Sequence, residues 1–437
     1  MGNSFLVRPW FFASPVYFPV RREVEELVQW WLSYLDSSEV TFASPRIVMG
    51  AEELPARKEL SEWPLLIFLS GGTQPWALEV ITRHRGATFW FLHPSDGGFP
   101  PETISAMLAR NALPALMDVW ARARVQPNWL VTHCHDVETL SRALILPRWL
   151  TQIRGTTLLQ VGKTEPWVIS SERDLDRVRE LTGVRVVQVP LEALLIRYRE
   201  MQSSTGLVHM VTRYWNCAKK TVEPSLEDVT AAYRLYLALT SLMKEHGATV
   251  VAISCFALAK ALRVTACVAL SLINESRDLV AACEGDLDSA ISLLVTKVVT
   301  GRPSFMGNVI VNLDHTIDMV HCTAPRTLAP GLETNVILRS HHETGCSVAQ
   351  RVEIQGTKVP ATLFRIGLRT GRATVARATF LQNVALPTCR TQWRFSVCDG
   401  SRFLDELLGN HQVVVFGDHG EDLARCCQAL GFEACLL

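Results

Sequence analysis

The stretch LVAACEGDLDSAISLLVTKVVTG, residues 279–301, decides how we interpret the chain. It opens with a short apolar run, Leu279 to Cys283, whose length favours a buried strand over a helix. Apolar residues then recur at helical spacing from Leu287 to Val298, and Gly301 is a typical helix end. The stretch therefore predicts a strand, a tight turn and a helix.

Two carboxylates, Glu284 and Asp286, flank Gly285 in this turn. Acids at the carboxyl end of a buried strand, beside a helix N-terminus, commonly bind ligands or metals in α/β proteins. The simpler alternative is that Asp286 caps the helix and Glu284 is a solvated acid. The stretch alone favours the simpler alternative and leaves a functional role open.

The composition is that of a soluble globular protein with two or three domains. The chain has 437 residues, of which 48% are hydrophobic and 20% charged, with 43 basic and 43 acidic side chains. This balance argues against nucleic acid or a membrane surface as the main partner. No run is long enough for a transmembrane helix. We expect a cytoplasmic protein, although the start MGNSFL superficially fits a myristoylation signal.

The cysteines do not form a metal-binding grid. There are 12, without a CxxC pair, and we expect most of them to be small buried hydrophobic residues. Disulfides are not expected in an ordinary cytosol, although intracellular proteins of hyperthermophiles are an exception. The excess of Arg over Lys and the frequent Trp hint at a thermophile.

Alternating strand and helix patterns predict an N-terminal domain, residues 1–205, with a doubly wound parallel sheet. Residues 63–95 predict a βαβ unit. Its turn, Ser70 to Thr73, could bind a phosphate, but the absence of a GxGxxG or GK[ST] motif favours a plain turn. Residues 100–125 predict a helix that is broken or kinked at Pro114.

The rest of the chain predicts two further domains. In the second α/β domain, residues 206–328, we expect a linker over residues 202–225, a long helix capped at Ser225 and a strand at residues 248–254. From residue 329 to 437, short runs with alternating or β-branched character predict a small antiparallel barrel or sandwich. A last strand and helix would close it.

Candidate metal ligands lie at the ends of several apolar runs, which can meet in space although they are distant in sequence. A hard divalent cation such as Mn²⁺ or Mg²⁺ would accept two carboxylates, an imidazole and waters. Any single His is more often an ordinary core or surface residue. The candidates are Glu284 and Asp286; Asp314 and His315; His321; His341, His342 and Glu343; and His411.

Several motifs together resemble the L-fucose isomerase and L-arabinose isomerase superfamily, in its shorter, fucose-isomerase-like branch. The resemblance covers about residues 245–437. Before that it is limited to the α/β organisation and to the turn VGKTEPW, residues 161–167. The motifs are CEGDLDSAISLLVTKVVTGRPSFMGN (283–308), MVHCTAP (319–325), RSHHETG (339–345), CRTQ (389–392) and LGNHQVVVFGDHGEDL (408–423).

The resemblance implies a metal-dependent aldose–ketose isomerase, usually supported by Mn²⁺, with Mg²⁺ or Co²⁺ as alternatives. It also implies a trimeric or hexameric assembly with its site near a subunit boundary. Asp286 matches the acidic metal ligand and proton-transfer residue of the fucose isomerases. Glu284 matches the acid of the arabinose isomerases, and His411 the metal-binding His of both. His321 is implied as a further ligand or substrate contact.

The resemblance also suggests substrate contacts and includes one departure. Within the same motifs we expect Trp167, Asn308, His341 and His342 to contact the sugar. A second metal-binding Glu of the fucose isomerases is replaced by Cys267. The Cys267 thiolate could be a ligand, which would suit Zn²⁺ better than Mn²⁺, or the residue could be an inert buried cysteine.

The expected chemistry is transfer of a proton between C2 and C1 of an open-chain sugar through an enediolate, with Asp286 as base and Glu284 as its partner. The substrate would be L-fucose-like, D-arabinose-like or a modified aldose. A second hypothesis is a family member that binds a sugar or a metal without turnover. A third is a structural or interaction protein in which the acids are only caps.

Overall fold

The computed structural model describes residues 6–36, 40–54, 62–83, 88–92, 101–125, 130–134 and 136–437. The chain divides into two compact units, Met1–Thr151 and Gln152–Leu437. In the described part of the chain, no helix combines the length and the apolar character needed to cross a membrane.

The first unit contains a parallel sheet of five strands with the order β2-β1-β3-β4-β5. The strands alternate with helices, as an α/β domain requires. The strands are β1 Leu6–Phe12, β2 Arg46–Val48, β3 Glu62–Phe68, β4 Thr88–Leu92 and β5 Leu130–Cys134; the helices are α1 Arg21–Leu35, α2 Gln74–Arg83, α3 Pro101–Ala109, α4 Ala112–Ala123, α5 Val137–Ala143 and α6 Ile145–Arg154, with a 3₁₀ turn at Ala51–Glu53.

The predicted βαβ unit is present as β3, α2 and β4. The predicted break near Pro114 lies slightly earlier, because α3 ends before residue 110 and α4 begins at Ala112. Asn111, with φ 58°, turns the chain between the two helices. Pro114 then occupies the first turn of α4, where a missing N–H costs nothing.

The second unit begins with another parallel sheet, whose order is β10-β9-β6-β7. Its strands come from two distant parts of the sequence, since β6 pairs with both β7 and β9. The strands are β6 Thr157–Val161, β7 Arg185–Val189, β9 Val250–Ile253 and β10 Val280–Ala282; the helices that accompany them are α7 Leu175–Thr182, α8 Leu191–Glu200, α9 Thr205–Asn216, α10 Leu226–Glu245, α11 Cys255–Leu262, α12 Cys267–Glu275 and α13 Leu287–Thr300.

The predicted linker over residues 202–225 is wrong. Half of it forms α9, which Ser204 caps by accepting the backbone N–H of Leu207. Leu207, Val211 and Tyr214 are buried one helical turn apart and pack against α10. This apolar stripe outweighs the polar composition that suggested a linker. The predicted start of α10 is confirmed, because Ser225 and Asp228 form a capping box.

The C-terminal region contains a closed antiparallel barrel of six strands. Its strands follow the cyclic order β15-β18-β11-β12-β17-β16, and β15 and β16 pair to close it. β19 adds to β16 in parallel. The barrel strands are β11 Phe305–Val311, β12 Ile317–His321, β15 Val359–Gly367, β16 Arg372–Asn383, β17 Thr391–Val397 and β18 His411–Phe416, followed by β19 Glu433–Leu436, with helices α14 Gly400–Asp405 and α15 Gly420–Leu430.

A separate sheet of three strands has the order β14-β13-β8. It consists of β8 Lys220–Thr221, β13 Thr334–Arg339 and β14 Ala349–Ile354. Inside the barrel, aromatic side chains form much of the core, and the rings of Phe305 and Trp393 lie 4.7 Å apart.

The predicted fold class, α/β with parallel sheets and a C-terminal antiparallel barrel, is confirmed. The barrel is larger than the sequence suggested, because it includes β11 and β12 from before residue 328. The division into domains 1–205, 206–328 and 329–437 stays a prediction. The observed compact units divide between Thr151 and Gln152, and one sheet joins strands from both sides of residue 205.

Candidate functional site

The acidic turn lies at the carboxyl edge of the parallel sheet, between β10 and α13. Glu284 and Gly285 both have left-handed backbone conformations, with φ of 57° and 61°. At Gly285 a side chain is also excluded by space, because a Cβ would lie 2.6 Å from the carbonyl oxygen of Lys163. The strained Glu284 is held by its carbonyl, which accepts the N–H of Glu165 at 2.9 Å.

Glu284, His321 and His411 form a buried group that could hold a metal ion, and we call it the carboxylate cluster. One ligand atom from each residue lies within 4.8 Å of the others. The Glu284 Oε1 is 3.9 Å from His321 Nε2 and 3.6 Å from His411 Nε2. Residues predicted from separate motifs therefore meet at one point.

The barrel register brings the two imidazoles to the same end of the barrel. Asn308 of β11 pairs with Val320 on one side and with His411 on the other. His321 is the last residue of β12 and His411 is the first of β18. Because β12 and β18 both pair with β11 at Asn308, the end of β12 lies level with the start of β18.

Asp286 fixes the orientation of the His411 ring, on the side opposite Glu284. The ring Nδ1 lies 2.9 Å from Asp286 Oδ2 and donates to this carboxylate, and the ring Nε2 faces Glu284 Oε1 from 3.6 Å. Nε2 is buried and has no hydrogen-bond partner among the described residues. In metal sites, a carboxylate commonly accepts the N–H of a ligating histidine while the other ring nitrogen binds the metal.

Asp286 itself has little capacity left for a metal. Its Oδ1 accepts the Ser289 N–H at 3.0 Å, as a helix cap does. Its Oδ2 accepts the Ser289 hydroxyl, His411 Nδ1 and Arg365 Nη1, at 2.6, 2.9 and 3.3 Å. Oδ2 is therefore fully engaged, whereas Oδ1 has one contact and keeps one lone pair. Asp286 lies outside the carboxylate cluster and orients it.

Arg365 of β15 is a fully buried cation that the sequence analysis missed. Its Nη1 donates to the His411 carbonyl at 2.7 Å as well as to Asp286, and its Nη2 lies 3.7 Å from Asp288. It therefore ties the start of β18 to the first turn of α13. A charged residue inside the apolar run ATLFRIG was the signal that could have drawn attention to it.

The protonation of the site follows from these partners. Burial alone would raise the pKa of Glu284, but the neighbouring imidazoles of His321 and His411 hold it well below its usual range. For Asp286, Arg365 and His411 likewise outweigh burial and keep the pKa low. Burial would lower the pKa of His411, yet its two carboxylate partners raise it to about 9.

Asp288 differs from Glu284 and Asp286, because its pKa is raised rather than lowered. Burial raises its pKa to about 7, which Arg365 opposes and the nearby Asp286 charge reinforces. Its carboxylate accepts the N–H groups of Glu172 at 2.9 Å and of Leu368 at 3.3 Å.

A second group that could hold a metal consists of Cys267, Cys322 and His341, and we call it the thiol cluster. Its ligand atoms also lie within 4.8 Å of one another, and all three residues are buried. Hydrogen bonds from the thiols of Cys267 and Cys389 hold the pKa of Cys322 well below its ordinary value, although burial opposes this.

Two neighbouring cavities join the clusters to the surface. An inner cavity of about 30 Å³ is lined by residues of both clusters, including Glu284, His321 and Cys322. This volume holds about two water-sized particles and no sugar. An outer cleft of about 650 Å³ is lined by Trp167 and His411 among others. Glu284, Glu343, Asn308 and Phe256 belong to both walls.

The turn VGKTEPW contributes Trp167 to the wall of the outer cleft. Trp167 donates its ring N–H to Glu284 Oε2 at 2.7 Å, and its ring meets that of Phe256 edge to face at 5.0 Å. Glu165 has a structural role, because its carboxylate accepts the Ser254 hydroxyl and two N–H groups at the start of α11.

The remaining predicted residues divide between the site and elsewhere. Asn308 and His341 line the inner cavity, whereas His342 is not among the described residues that line either cavity.

The other predicted residues lie away from the site. Asp314 and His315 lie in an exposed turn, where the Asp314 carboxylate accepts hydrogen bonds from the N–H and the hydroxyl of Thr316. In the first unit, the turn Ser70–Thr73 is buried and bonded internally, with Thr73 donating to the Ser70 carbonyl.

No protein-family model matches the chain, and no curated protein matches it either. The resemblance to the fucose and arabinose isomerases therefore remains an interpretation of the motifs. The conclusion for this region is that two buried clusters, which could each hold a metal ion, face one cavity beneath an open cleft.

Proposed function

We propose that the chain is a metal-dependent aldose–ketose isomerase whose cation is held by the carboxylate cluster. The observation that carries this proposal is the buried Nε2 of His411, which lacks a partner among the described residues and is held towards Glu284 by Asp286. A buried imidazole nitrogen without a hydrogen bond is costly unless it binds a ligand.

The donor set suits a first-row divalent cation. One carboxylate and two imidazoles leave several coordination positions for substrate oxygens or waters, as Mn²⁺ and Co²⁺ accept. We propose Mn²⁺, because the resemblance implies it and because the site offers an oxygen donor beside the imidazoles. The inner cavity beside Glu284 and His321 has room for an ion and a small ligand atom.

The residues have distinct roles in the proposed reaction. Glu284, His321 and His411 would hold the cation, which would supply Lewis-acid polarisation of two neighbouring sugar oxygens. Glu284 holds the cation, and Trp167 fixes its second oxygen through the ring N–H. Glu343 is the other carboxylate in the described walls of both cavities, and its side chain is 48% exposed. We assign it the transfer of a proton between C2 and C1.

Asp286 and Arg365 act as positioning residues in this proposal. This assignment differs from the role of ligand and base that the resemblance implied for Asp286. The reason is that Asp286 is fully buried, accepts four contacts from Ser289, His411 and Arg365, and lies outside the group of residues that could hold a metal. A fully buried carboxylate whose charge is stabilised by several donors is a poor base for a carbon-bound proton.

The outer cleft is suitable for an open-chain monosaccharide. Its volume of about 650 Å³ lies in the usual range for small-molecule sites. The half-exposed ring of Trp167 and the ring of Phe256 offer apolar faces for the C–H groups of a sugar, while Asn308 offers an amide. The identity of the sugar, the cytoplasmic location and the trimeric or hexameric assembly stay predictions.

A second candidate function is binding of a sugar or a metal without turnover. Cys267 favours it, because this residue lines the inner cavity where the fucose isomerases carry an additional acid. The protein would then hold a cation and a sugar but lack a group to move the proton. Glu343 is the residue whose contribution separates the two candidates.

The test is a ketose-formation assay with chelator-treated protein over a panel of aldoses, with and without added Mn²⁺. Under the proposal, activity disappears with the chelator and returns with Mn²⁺. His411→Ala abolishes both Mn²⁺ binding and activity, whereas His209→Ala, an exposed substitution on α9, changes neither.

Glu343→Gln then separates turnover from binding. Under the isomerase proposal it retains Mn²⁺ and loses turnover by at least about a hundredfold, which is within the usual contribution of a general base. Binding of Mn²⁺ and sugar without any ketose formation would support the second candidate. Unchanged Mn²⁺ affinity in His411→Ala would contradict the assignment of the site.

A further inference from the structure

The thiol cluster brings together donors from three separate elements. Cys267 is the first residue of α12, Cys322 directly follows β12, and His341 lies in the loop after β13. Their ligand atoms lie within 4.8 Å of one another, and their exposed fractions are 4%, 1% and 8%. We infer that this cluster is a second metal site, separate from the carboxylate cluster, and that it binds Zn²⁺.

The donor chemistry selects the ion. Two cysteine sulfurs and one imidazole are a donor set that zinc accepts in tetrahedral sites with three protein ligands and one open position. Soft thiolates disfavour Mn²⁺ and Mg²⁺, which prefer oxygen donors. The two clusters therefore discriminate between cations although both line the inner cavity.

Polar groups next to two of the ligands orient them. The backbone N–H of Arg390 points at Cys322 Sγ from 3.4 Å, and such a bond stabilises a thiolate ligand. The Thr344 hydroxyl lies 3.1 Å from His341 Nδ1, and the Thr344 backbone N–H points at the same nitrogen from 3.4 Å. The other ring nitrogen, Nε2, lies 3.5 Å from a Glu343 oxygen.

The fourth coordination position of the zinc ion faces the inner cavity beside the cluster. The inner cavity borders all three ligands, and its volume of about 30 Å³ accommodates a water. Cys389 belongs to the same apolar group as Cys267 and Cys322 and also lines this cavity. The zinc ion thus has three protein ligands and faces the same space as the proposed sugar-isomerising cation.

The proposal is independent of the proposed function, and its test uses the full chain. Purified protein is freed of metal with a chelator and titrated with Co²⁺, which reports sulfur ligation through a near-ultraviolet charge-transfer absorption. We expect this absorption in the wild-type protein and its loss when Zn²⁺ is added. We expect Cys267→Ser and Cys322→Ser each to lower Co²⁺ and Zn²⁺ affinity at least about a hundredfold, since outer groups alone contribute 10–100-fold.

Two control variants isolate the cluster. Cys398→Ser removes an exposed thiol outside the site and should leave the absorption unchanged. His411→Ala removes a ligand of the carboxylate cluster and should also leave it unchanged, while Mn²⁺ binding is lost. Failure of the isomerase proposal would therefore not remove the cobalt–thiolate signal, and failure of the zinc proposal would not remove Mn²⁺-dependent turnover.

A second measurement protects the test against variants that do not fold. Wild-type protein is alkylated with a small thiol reagent, with and without Zn²⁺, and each cysteine is followed by mass spectrometry. Zinc should slow modification of Cys267 and Cys322 at least about tenfold and leave the exposed Cys217 and Cys398 unaffected. Absence of the charge-transfer absorption in wild-type protein, or equal alkylation with and without zinc, would overturn the proposal.

Discussion

The carboxylate cluster and the thiol cluster line one small cavity but differ in how their donors are held. In the carboxylate cluster, His411 is supported by Asp286, which is itself held by the buried Arg365. In the thiol cluster, the described support of Cys322 comes from a backbone N–H and from neighbouring thiols. A charged scaffold therefore orients one cluster, and local packing forms the other. Substitutions in the scaffold should affect the two clusters very differently.

The largest effect is expected from Arg365→Met. This substitution leaves Asp286 without its buried cation and should lower the free energy of unfolding by about 3–5 kcal/mol, the usual cost of breaking a buried ion pair. Urea unfolding measures this change. The control is Arg377→Met, whose ion pair with Asp418 is 41% and 61% exposed and should contribute about 0.2–1 kcal/mol. Equal losses of unfolding free energy in the two variants would show that Arg365 stabilises the fold no more than the exposed Arg377 does.

The next effect concerns cation selectivity. Glu284→Gln removes the anionic donor of the carboxylate cluster and should weaken Mn²⁺ binding at least about a hundredfold, more than the loss of an outer contact. The cobalt–thiolate absorption of the thiol cluster should persist. Titration with Mn²⁺ and with Co²⁺ measures both. Loss of both signals together would mean that one shared site replaces the two clusters.

Asp286→Asn should have an intermediate effect. The amide keeps an acceptor for the helix cap but removes the charge that holds the His411 tautomer. We expect Mn²⁺ affinity to fall about 10–100-fold, as for other residues behind a metal ligand. Ser289→Ala is the matched control, since it removes one contact to Asp286 but keeps the carboxylate. A larger loss in Asp286→Asn than in Glu284→Gln would restore Asp286 as a direct ligand.

The smallest expected effect is a pH dependence of the free energy of unfolding, and it arises from Asp288 beside Arg365. The pKa of Asp288 is raised to about 7, so the folded state prefers the protonated carboxyl. Its contribution to stability is present below the ordinary value of 3.8 and is lost as the pH rises through about 7. The stability of wild-type protein relative to Asp288→Asn should therefore fall over this range.

Urea unfolding of the two proteins at several pH values checks this prediction. Cys267→Ser should keep the wild-type pH dependence, because its site does not include Asp288. If the free energy of unfolding of the wild-type protein, relative to that of Asp288→Asn, rose with pH, the Asp288 pKa would be lowered rather than raised.

Local sequence patterns were sufficient for much of the fold and for part of the site. The strand, turn and helix around Glu284 follow from apolar periodicity and a helix cap, and the structure contains them as β10 and α13. His321 and His411 could be proposed because each lies at an end of an apolar run. Their meeting with Glu284, however, depends on the pairing of β11 with β12 and β18, which no local pattern encodes.

The role of Asp286 shows most clearly what the sequence could not provide. Its carboxylate is an attractive metal ligand beside Gly285, but Arg365, 79 residues away, occupies one of its oxygens. Cys267 and His341 were each considered as metal ligands, but their meeting with Cys322 was not predicted, since the three residues have no characteristic spacing. α9 was missed because its polar composition hid an apolar stripe at Leu207, Val211 and Tyr214.

The origin of the carboxylate cluster in two different sheets has a thermodynamic consequence. Glu284 belongs to the edge of the parallel sheet, and His321 and His411 belong to the barrel. A cation that binds all three acts as a cross-link present only in the folded second unit. Linkage then gives a stabilisation of about 2.7 kcal/mol at a free concentration 100 times the dissociation constant. The midpoint of heat unfolding should therefore rise with cation concentration.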